Sequence, residues 1–185
     1  MLVERDRCAR QPNWREGELD TSPRAERLAA WSLVALQMVL LAGLVCLPGE
    51  RVWSVAGWPA VTAVVVIAIA AVFAGAAAVR LGSGLTASPL PSSAAQLRTT
   101  GVYACVRHPI YTGLLLGGAA VVLLGGRLTR VWVWLGLLVL LWGKTRLEER
   151  KLAARFPGYR DYAARTPRLV PDPRRCLPRR HTGRT

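Results

Sequence analysis

The amino-acid sequence predicts an all-α fold: a polytopic membrane helix bundle of about four transmembrane helices, with a cytoplasmic loop and C-terminal interfacial helices forming one site. Three observations carry this prediction. The 185 residues are 52% hydrophobic with a mean hydropathy of +0.27, yet the formal net charge is +14, so apolar and charged residues must be segregated along the chain. Four apolar runs approach bilayer length, and none contains Asp, Glu, Lys, Arg or His. The basic residues between those runs fall almost entirely on one of the two sides that four crossings create.

Each element follows from the segregation. Residues 1–27 mix six basic with six acidic side chains and include Pro12 and Pro23. They lack an apolar h-region and form a polar cytoplasmic leader, not a cleavable signal peptide. Runs at 28–47 and 58–79 are each long enough to cross a hydrocarbon core, which needs about 20 apolar residues. Runs at 110–125 and 131–143 are shorter and need flanking Leu128, Arg130 and Lys144, with snorkelling or local bilayer thinning, to cross. Between the second and third runs, LGSGLTASPLPSSAAQLRTT is rich in Gly, Ser and Pro, so no regular structure is expected before Ala94. About thirty residues from Arg80 to Pro109 exceed the usual helix-to-helix connection, which favours a functional loop. After the fourth run Pro157 and Gly158 break the helix, leaving Tyr159 and Tyr162 in a short amphipathic segment expected on the membrane surface. The chain thus divides into the leader (1–27), two N-terminal transmembrane helices (28–79), a core (80–171) and a basic tail (172–185) expected to be disordered.

Of the 25 Lys and Arg residues, four crossings place 22 on the side of both termini and the second loop and 3 on the other. The positive-inside rule then puts both termini in the cytoplasm. No aromatic-interleaved basic groove or nucleic-acid motif accompanies the charge, so nucleic acid is not the expected partner. Anionic lipid headgroups are, each nearby basic side chain contributing on the order of 1 kcal/mol. Ion pumps and proton-coupled transporters place ionisable groups within the bilayer despite insertion costs of roughly 2.5 to 3.5 kcal/mol each. Here the most polar side chain at depth is Gln37. Cys8, Cys46, Cys105 and Cys176 are scattered, without a CxxC pair or matching His spacing. Neither a disulfide framework nor a metal site is expected, and Cys105 is read as a small packing residue. The high Ala, Arg and Gly content is that of a GC-rich bacterial genome, for which the location would be the plasma membrane.

Chemistry-bearing residues gather in two places. The stretch GVYACVRHPIYTG, residues 101–113, brings Tyr103, Arg107, His108 and Tyr111 together around Pro109 at a membrane boundary. Pro109 disfavours helical geometry at His108 and suits the first turn of the helix that follows, so His108 lies just outside the lipid. An isolated RHP tripeptide is explained as well by a juxtamembrane anchor and a solvated cap. Glu148 and Glu149 stand where the last run leaves the lipid, with Lys144 and Lys151 at helical spacings from Glu148 and Arg146 from Glu149. Alone, that pair reads as surface salt bridging. Gly113 and Gly117 form a small-xxx-small pair that helix packing explains. Jointly, the two stretches suit a site where a water-soluble cofactor meets a lipid-embedded substrate.

Gly101-Val102-Tyr103, then Val106 to Gly113, then Glu148-Glu149, then Phe156, Tyr159, Tyr162 and Pro171, in that order, resemble the isoprenylcysteine carboxyl methyltransferase and phospholipid methyltransferase superfamily. Leu85, Pro89 and Pro91 resemble the loop that precedes the motif there, and the resemblance runs over about 82–171. It implies an integral membrane methyltransferase that uses S-adenosylmethionine without a Rossmann domain. The acceptor would be lipid-like or prenylated, either an isoprenylcysteine-type carboxylate or a lipid. By the same resemblance Tyr103, His108, Tyr111, Gly113, Glu148 and Glu149 hold the cofactor, Arg107 and His108 are the catalytic residues, and Gly101 shapes the entrance with Tyr103. Val102 stands where the family carries a small residue or Pro. Sterol-type membrane reductases use a related stretch for NADPH, but Ile110 and Leu114 stand where those enzymes carry Asn and Glu, which favours the methyltransferase. A non-catalytic scaffold is opposed by intact Arg107, His108, Glu148 and Glu149.

Overall fold

The computed structural model describes residues 23–86, 90 and 96–176. Its elements are α1 (Pro23–Cys46), α2 (Trp58–Leu81), a 3-10 turn (Gly82–Gly84), α3 (Val102–Cys105), α4 (Pro109–Gly125), α5 (Leu128–Arg155), α6 (Tyr159–Arg165) and α7 (Pro173–Cys176). The described residues form no strand, only an isolated antiparallel bridge between Arg51 and Arg127 that ties two loops. The all-α membrane bundle is therefore the observed architecture. Three helices, Arg24–Cys46, Trp58–Gly84 and Leu128–Arg155, are long and apolar enough to cross a membrane. The fourth, α4, has 17 residues and so rises about 25 Å, short of a hydrocarbon core of about 30 Å.

Lipid replaces water around such a bundle, and the helices show it. Val61, Val64, Val65 and Val72 on α2 and Trp132 and Val139 on α5 are exposed, as apolar residues are in a helix that is hydrophobic all round. Helix association then depends on close packing. Ala63, Ala70 and Ala77 are buried on α2, which lies along α4. A Cβ added at Gly113 would sit 2.9 Å from the Ala70 carbonyl oxygen and 3.1 Å from the Ala74 Cβ. Across the bundle, α5 packs on α1 and α4 around Leu115, Leu137 and Leu141. There Gly118 admits Trp134, whose Nε1 donates to the Leu115 carbonyl at 2.9 Å. Polar clamps close both ends of the α1–α5 pair: Arg130 Nη2 donates to the Val45 carbonyl at 2.8 Å, and Lys151 Nζ meets Glu26 Oε1 at 2.8 Å.

Beyond the spans the structure departs from sequence expectation in three ways. The long loop opens with a 3-10 turn, Gly82–Gly84, before Ala94, where no regular structure is expected; α3 follows later, immediately before the His108 segment. Tyr159 and Tyr162 are buried instead of lying on the membrane, because α6 folds back so that the Tyr162 hydroxyl donates to the Tyr103 carbonyl at 2.7 Å. The segment after α6 is a strap along the start of α4: Arg107 N donates to Pro167 O at 2.9 Å, His108 N to Arg168 O at 3.2 Å and Asp172 N to Cys105 O at 3.0 Å. The strap ends in α7, where Cys176 forms a disulfide with Cys105, Cα to Cα 4.8 Å. This corrects the packing role expected of Cys105, and residues 172–176 of the basic tail form the end of the strap and α7. Two cysteines 71 residues apart carry no local signal of their proximity. The leader to residue 22, Pro89, Pro91 and the tail beyond Cys176 lie outside the described residues.

Gly113→Val is expected to lower the thermal unfolding midpoint of the detergent-purified protein, because overpacking at rigid backbone costs about 1–3 kcal/mol. Gly75→Ala, on α2 and with nothing within 4 Å of an added Cβ, is expected to leave the midpoint unchanged or raise it slightly. Parallel scanning calorimetry checks both.

Candidate functional site

The site is built where α4 begins. His108 is the residue before Pro109 and adopts φ −121°, ψ 65°, the non-helical geometry that a following proline favours. Pro109 then opens α4 at no hydrogen-bond cost, since the first helical N–H has no partner within the helix. Thr112 locks the corner: its hydroxyl donates to the Leu169 carbonyl of the strap at 2.8 Å, and its N–H donates to the His108 carbonyl at 3.0 Å. The His108 imidazole stacks on Tyr111, centroids 5.6 Å apart and planes inclined by 16°.

Two adjacent glutamates on the last turns of α5 complete the arrangement. Glu149 Oε1 lies 3.0 Å from Arg107 Nη1 and 3.2 Å from His108 Nε2, and the Arg168 guanidinium grips both oxygens, Nε to Oε1 at 3.0 Å and Nη2 to Oε2 at 2.6 Å. Bidentate contact of this kind is the strongest form of charge-assisted hydrogen bond. The Glu149 side chain is only 11% exposed, so its three partners offset the cost of burying the charge. Glu148 takes the other side of His108, Oε2 to Nδ1 at 3.7 Å, and keeps 28% of its side chain exposed.

Above these residues opens a cavity of about 450 Å³. Its polar lining is Tyr103, Arg107, His108, Tyr111, Glu148 and Tyr159, with Arg98 from the loop; Leu81, Leu85, Ile110, Leu114 and Leu152 are interleaved with them. Such a volume, apolar with a few convergent polar groups, suits a small organic ligand. Burial pushes the phenols of Tyr103, Tyr159 and Tyr162 well above their ordinary range, so all three stay neutral. Arg107 Nε and the Tyr159 hydroxyl are buried with no hydrogen-bond partner among the described residues. The described residues hold no group of three or more His, Cys, Asp or Glu able to bind a metal ion.

Five of the seven residues expected at the site, Tyr103, Arg107, His108, Tyr111 and Glu148, share this cavity wall. Two do not. Gly113 faces α2, where its missing side chain admits the Ala70 carbonyl, so its role is packing. Glu149 lies behind His108 and Arg107 on a separate surface cleft with Arg146, Arg150 and Arg168, and acts on the cavity through its partners. Sequence reasoning missed Arg168, the cavity-lining Arg98 and the cavity position of Tyr159. Arg168 belongs to no periodic pattern; the only local hint is Pro167 before it, which favours the extended geometry of Thr166 where the strap leaves α6.

Fold and cavity together define a polytopic membrane protein with a polar pocket at one membrane face, half walled by lipid-crossing helices. The sequence profile of the phospholipid methyltransferase family matches residues 58–158. That is more than half of the 185 residues, and the chain belongs to this family, within the superfamily of isoprenylcysteine carboxyl and phospholipid methyltransferases. It is thereby a membrane methyltransferase. No curated protein and no solved structure matches the chain. The matched segment starts with α2 and stops at Gly158, so the cavity residues Gln37, Tyr159 and Tyr162, and Arg168 behind them, lie outside it.

Glu149→Ala leaves Arg107, His108 and Arg168 with an uncompensated buried charge and is expected to destabilise the protein by on the order of 3 kcal/mol. Arg168→Ala, with an arginine side chain 29% exposed, is expected to cost clearly less. Denaturant or thermal unfolding of the two variants side by side checks the order; equal losses would contradict it.

Proposed function

We propose that the protein transfers the methyl group of S-adenosylmethionine to a lipophilic acceptor, an isoprenylcysteine-type carboxylate or a lipid, at the cytoplasmic membrane interface. One observation carries this reading: a cation, an anion, stacked aromatic rings and several apolar side chains line a single cavity. A zwitterionic cofactor and a lipid-borne acceptor need such a mixed lining.

The residues suit the cofactor on the evidence of their own chemistry. Its carboxylate calls for donors, and Arg107 Nε and the Tyr159 hydroxyl are buried donors without a partner. Its amine and ribose hydroxyls call for an acceptor, which Glu148 supplies. Tyr103 and Tyr111 offer aromatic surface that attracts a sulfonium through its cationic charge. The cofactor supplies an activated methyl group, whose in-line displacement is accelerated mainly by positioning and desolvation of the reactants. His108, clamped by Glu148, Glu149 and Tyr111, holds the polar lining rigid, and the buried setting excludes water. A carboxylate acceptor needs no general base, since its reference pKa is near 4. An amine would have to lose its proton, and His108 and Glu148 are the cavity groups able to take it.

The proposed placement is a bacterial plasma membrane with both termini cytoplasmic, the basic flanks meeting anionic lipid headgroups. This rests on the distribution of Lys and Arg along the chain.

Calorimetric titration of the detergent-purified protein with S-adenosylmethionine, and with NADPH in parallel, tests the reading. Saturable binding of S-adenosylmethionine alone is expected. Loss of the charged hydrogen bonds in His108→Ala should weaken it by about 10- to 100-fold while the protein stays inserted. Binding of NADPH alone, or wild-type affinity in the variant, would overturn the proposal.

A further inference from the structure

Gln37 is the most polar side chain within the first apolar run, and it lines the cavity from α1, outside the segment that matches the family. Nine residues separate it from Leu28, so it stands about 13 Å along the helix from the start of that run. At that depth the surrounding medium offers an amide no hydrogen bonds, and Gln37 is only 9% exposed. What it contacts therefore decides what it does.

Its Oε1 accepts from Lys144 Nζ at 2.6 Å. Lys144 is 1% exposed, stands one turn before Glu148 on α5, and lies over the Tyr111 ring at 5.5 Å from the centroid. An ammonium has three donors and no acceptor. Turning the amide over would set its NH2 against that ammonium, so the contact fixes the orientation with oxygen toward Lys144. The Gln37 NH2 group donates to no described residue. A cavity-lining amide oriented in this way presents donors, and no acceptor, to whatever occupies the membrane-buried end of the cavity.

We propose that Gln37 is an acceptor-recognition residue, whose NH2 group donates a hydrogen bond to an oxygen of the methyl acceptor, a carbonyl or carboxylate oxygen borne on an otherwise apolar molecule. Lys144 is its positioning residue. This inference rests on the methyltransferase reading above and adds to it the class of acceptor: a plain hydrocarbon at this end would leave the amide unpaired, whereas an oxygen function satisfies it. Because α1 lies outside the family match, the selectivity so conferred belongs to this chain's own N-terminal helix.

The test uses the full-length protein in detergent, S-adenosylmethionine labelled at the methyl group, and lipids extracted from membranes of the expressing cells as the acceptor probe. Cofactor affinity is measured separately by calorimetry. Gln37→Glu retains an oxygen for Lys144 but has no NH2 group, and Gln37→Leu combined with Lys144→Met removes the pair without stranding a charge. Both are expected to raise the apparent KM for the lipid probe about tenfold, the worth of one hydrogen bond of about 1.4 kcal/mol, with cofactor affinity within twofold of wild type. A wild-type KM in Gln37→Glu would show that the residue merely holds Lys144 and would overturn the inference. A parallel fall in cofactor affinity would move Gln37 to the cofactor and overturn it as well. Saturable cofactor binding without label in any lipid would overturn the inference alone, whereas absence of cofactor binding in the wild type would overturn the methyltransferase mechanism beneath it.

Discussion

The structure depends on one carboxylate. Glu149 is the point at which three separate segments meet: the last turns of α5, the Arg107-His108 corner before α4, and the strap through Arg168. Two of these segments bring arginines that repel each other, and without the carboxylate Arg107 and Arg168 would confront each other beside His108 in a half-buried setting. With it, the two guanidiniums and the imidazole are held by hydrogen bonds of 2.6 to 3.2 Å. The His108 ring is thereby placed against Tyr111, and the cavity wall inherits that order. Backbone pairing of the strap with residues 105–108, and the disulfide at its end, hold the same arrangement from the other side.

A second constraint comes from the membrane. Helices crossing lipid gain little from burying apolar area against one another, because lipid tails are equally apolar, so they associate where small residues allow close approach. That accounts for the alanine face of α2 and for Gly113 and Gly118 on α4. It accounts too for the treatment of polar groups, each tied to a neighbouring helix: Trp134 to Leu115, Arg130 to Val45, Lys144 to Gln37. The last pair adjoins the cavity, so satisfying a buried cation and orienting a cavity donor are accomplished by one contact.

The spans, the kink at His108-Pro109 and the convergence of residues 103–111 with Glu148 were legible in the sequence, since each is a local pattern: an apolar run, a proline rule, a motif. What was not legible is what joins distant segments. Helical spacing offers Lys144 and Lys151 as partners for Glu148; Lys144 does interact with Glu148 through its charge, but it also reaches Gln37, 107 residues away, and Lys151 reaches Glu26 on α1, 125 residues away. Arg168, the Cys105–Cys176 disulfide and the burial of Tyr162 against Tyr103 are of the same kind. No periodicity encodes them, because they arise only when α6 and the strap fold back. Gly113 stood open to both readings for a related reason: a glycine inside a motif and a glycine at a helix crossing look identical until the neighbouring helix is placed.

The division of labour between the two glutamates follows from helix geometry. Consecutive residues on an α-helix project about 100° apart, since 3.6 residues complete a turn. Two adjacent carboxylates on α5 therefore cannot face one cavity equally, however close they stand in sequence. Glu149 is turned toward the strap and is consumed by Arg107, His108 and Arg168; Glu148 is turned toward the cavity and keeps part of its side chain accessible. Neutralising the corner with one glutamate is what leaves the other available to a ligand. A lone carboxylate would have to serve both as counter-charge to two arginines and as ligand acceptor, and would do the second only by giving up the first. The paired Glu-Glu is thus the smallest unit that gives a cationic corner its counter-charge and still presents an acceptor to the pocket.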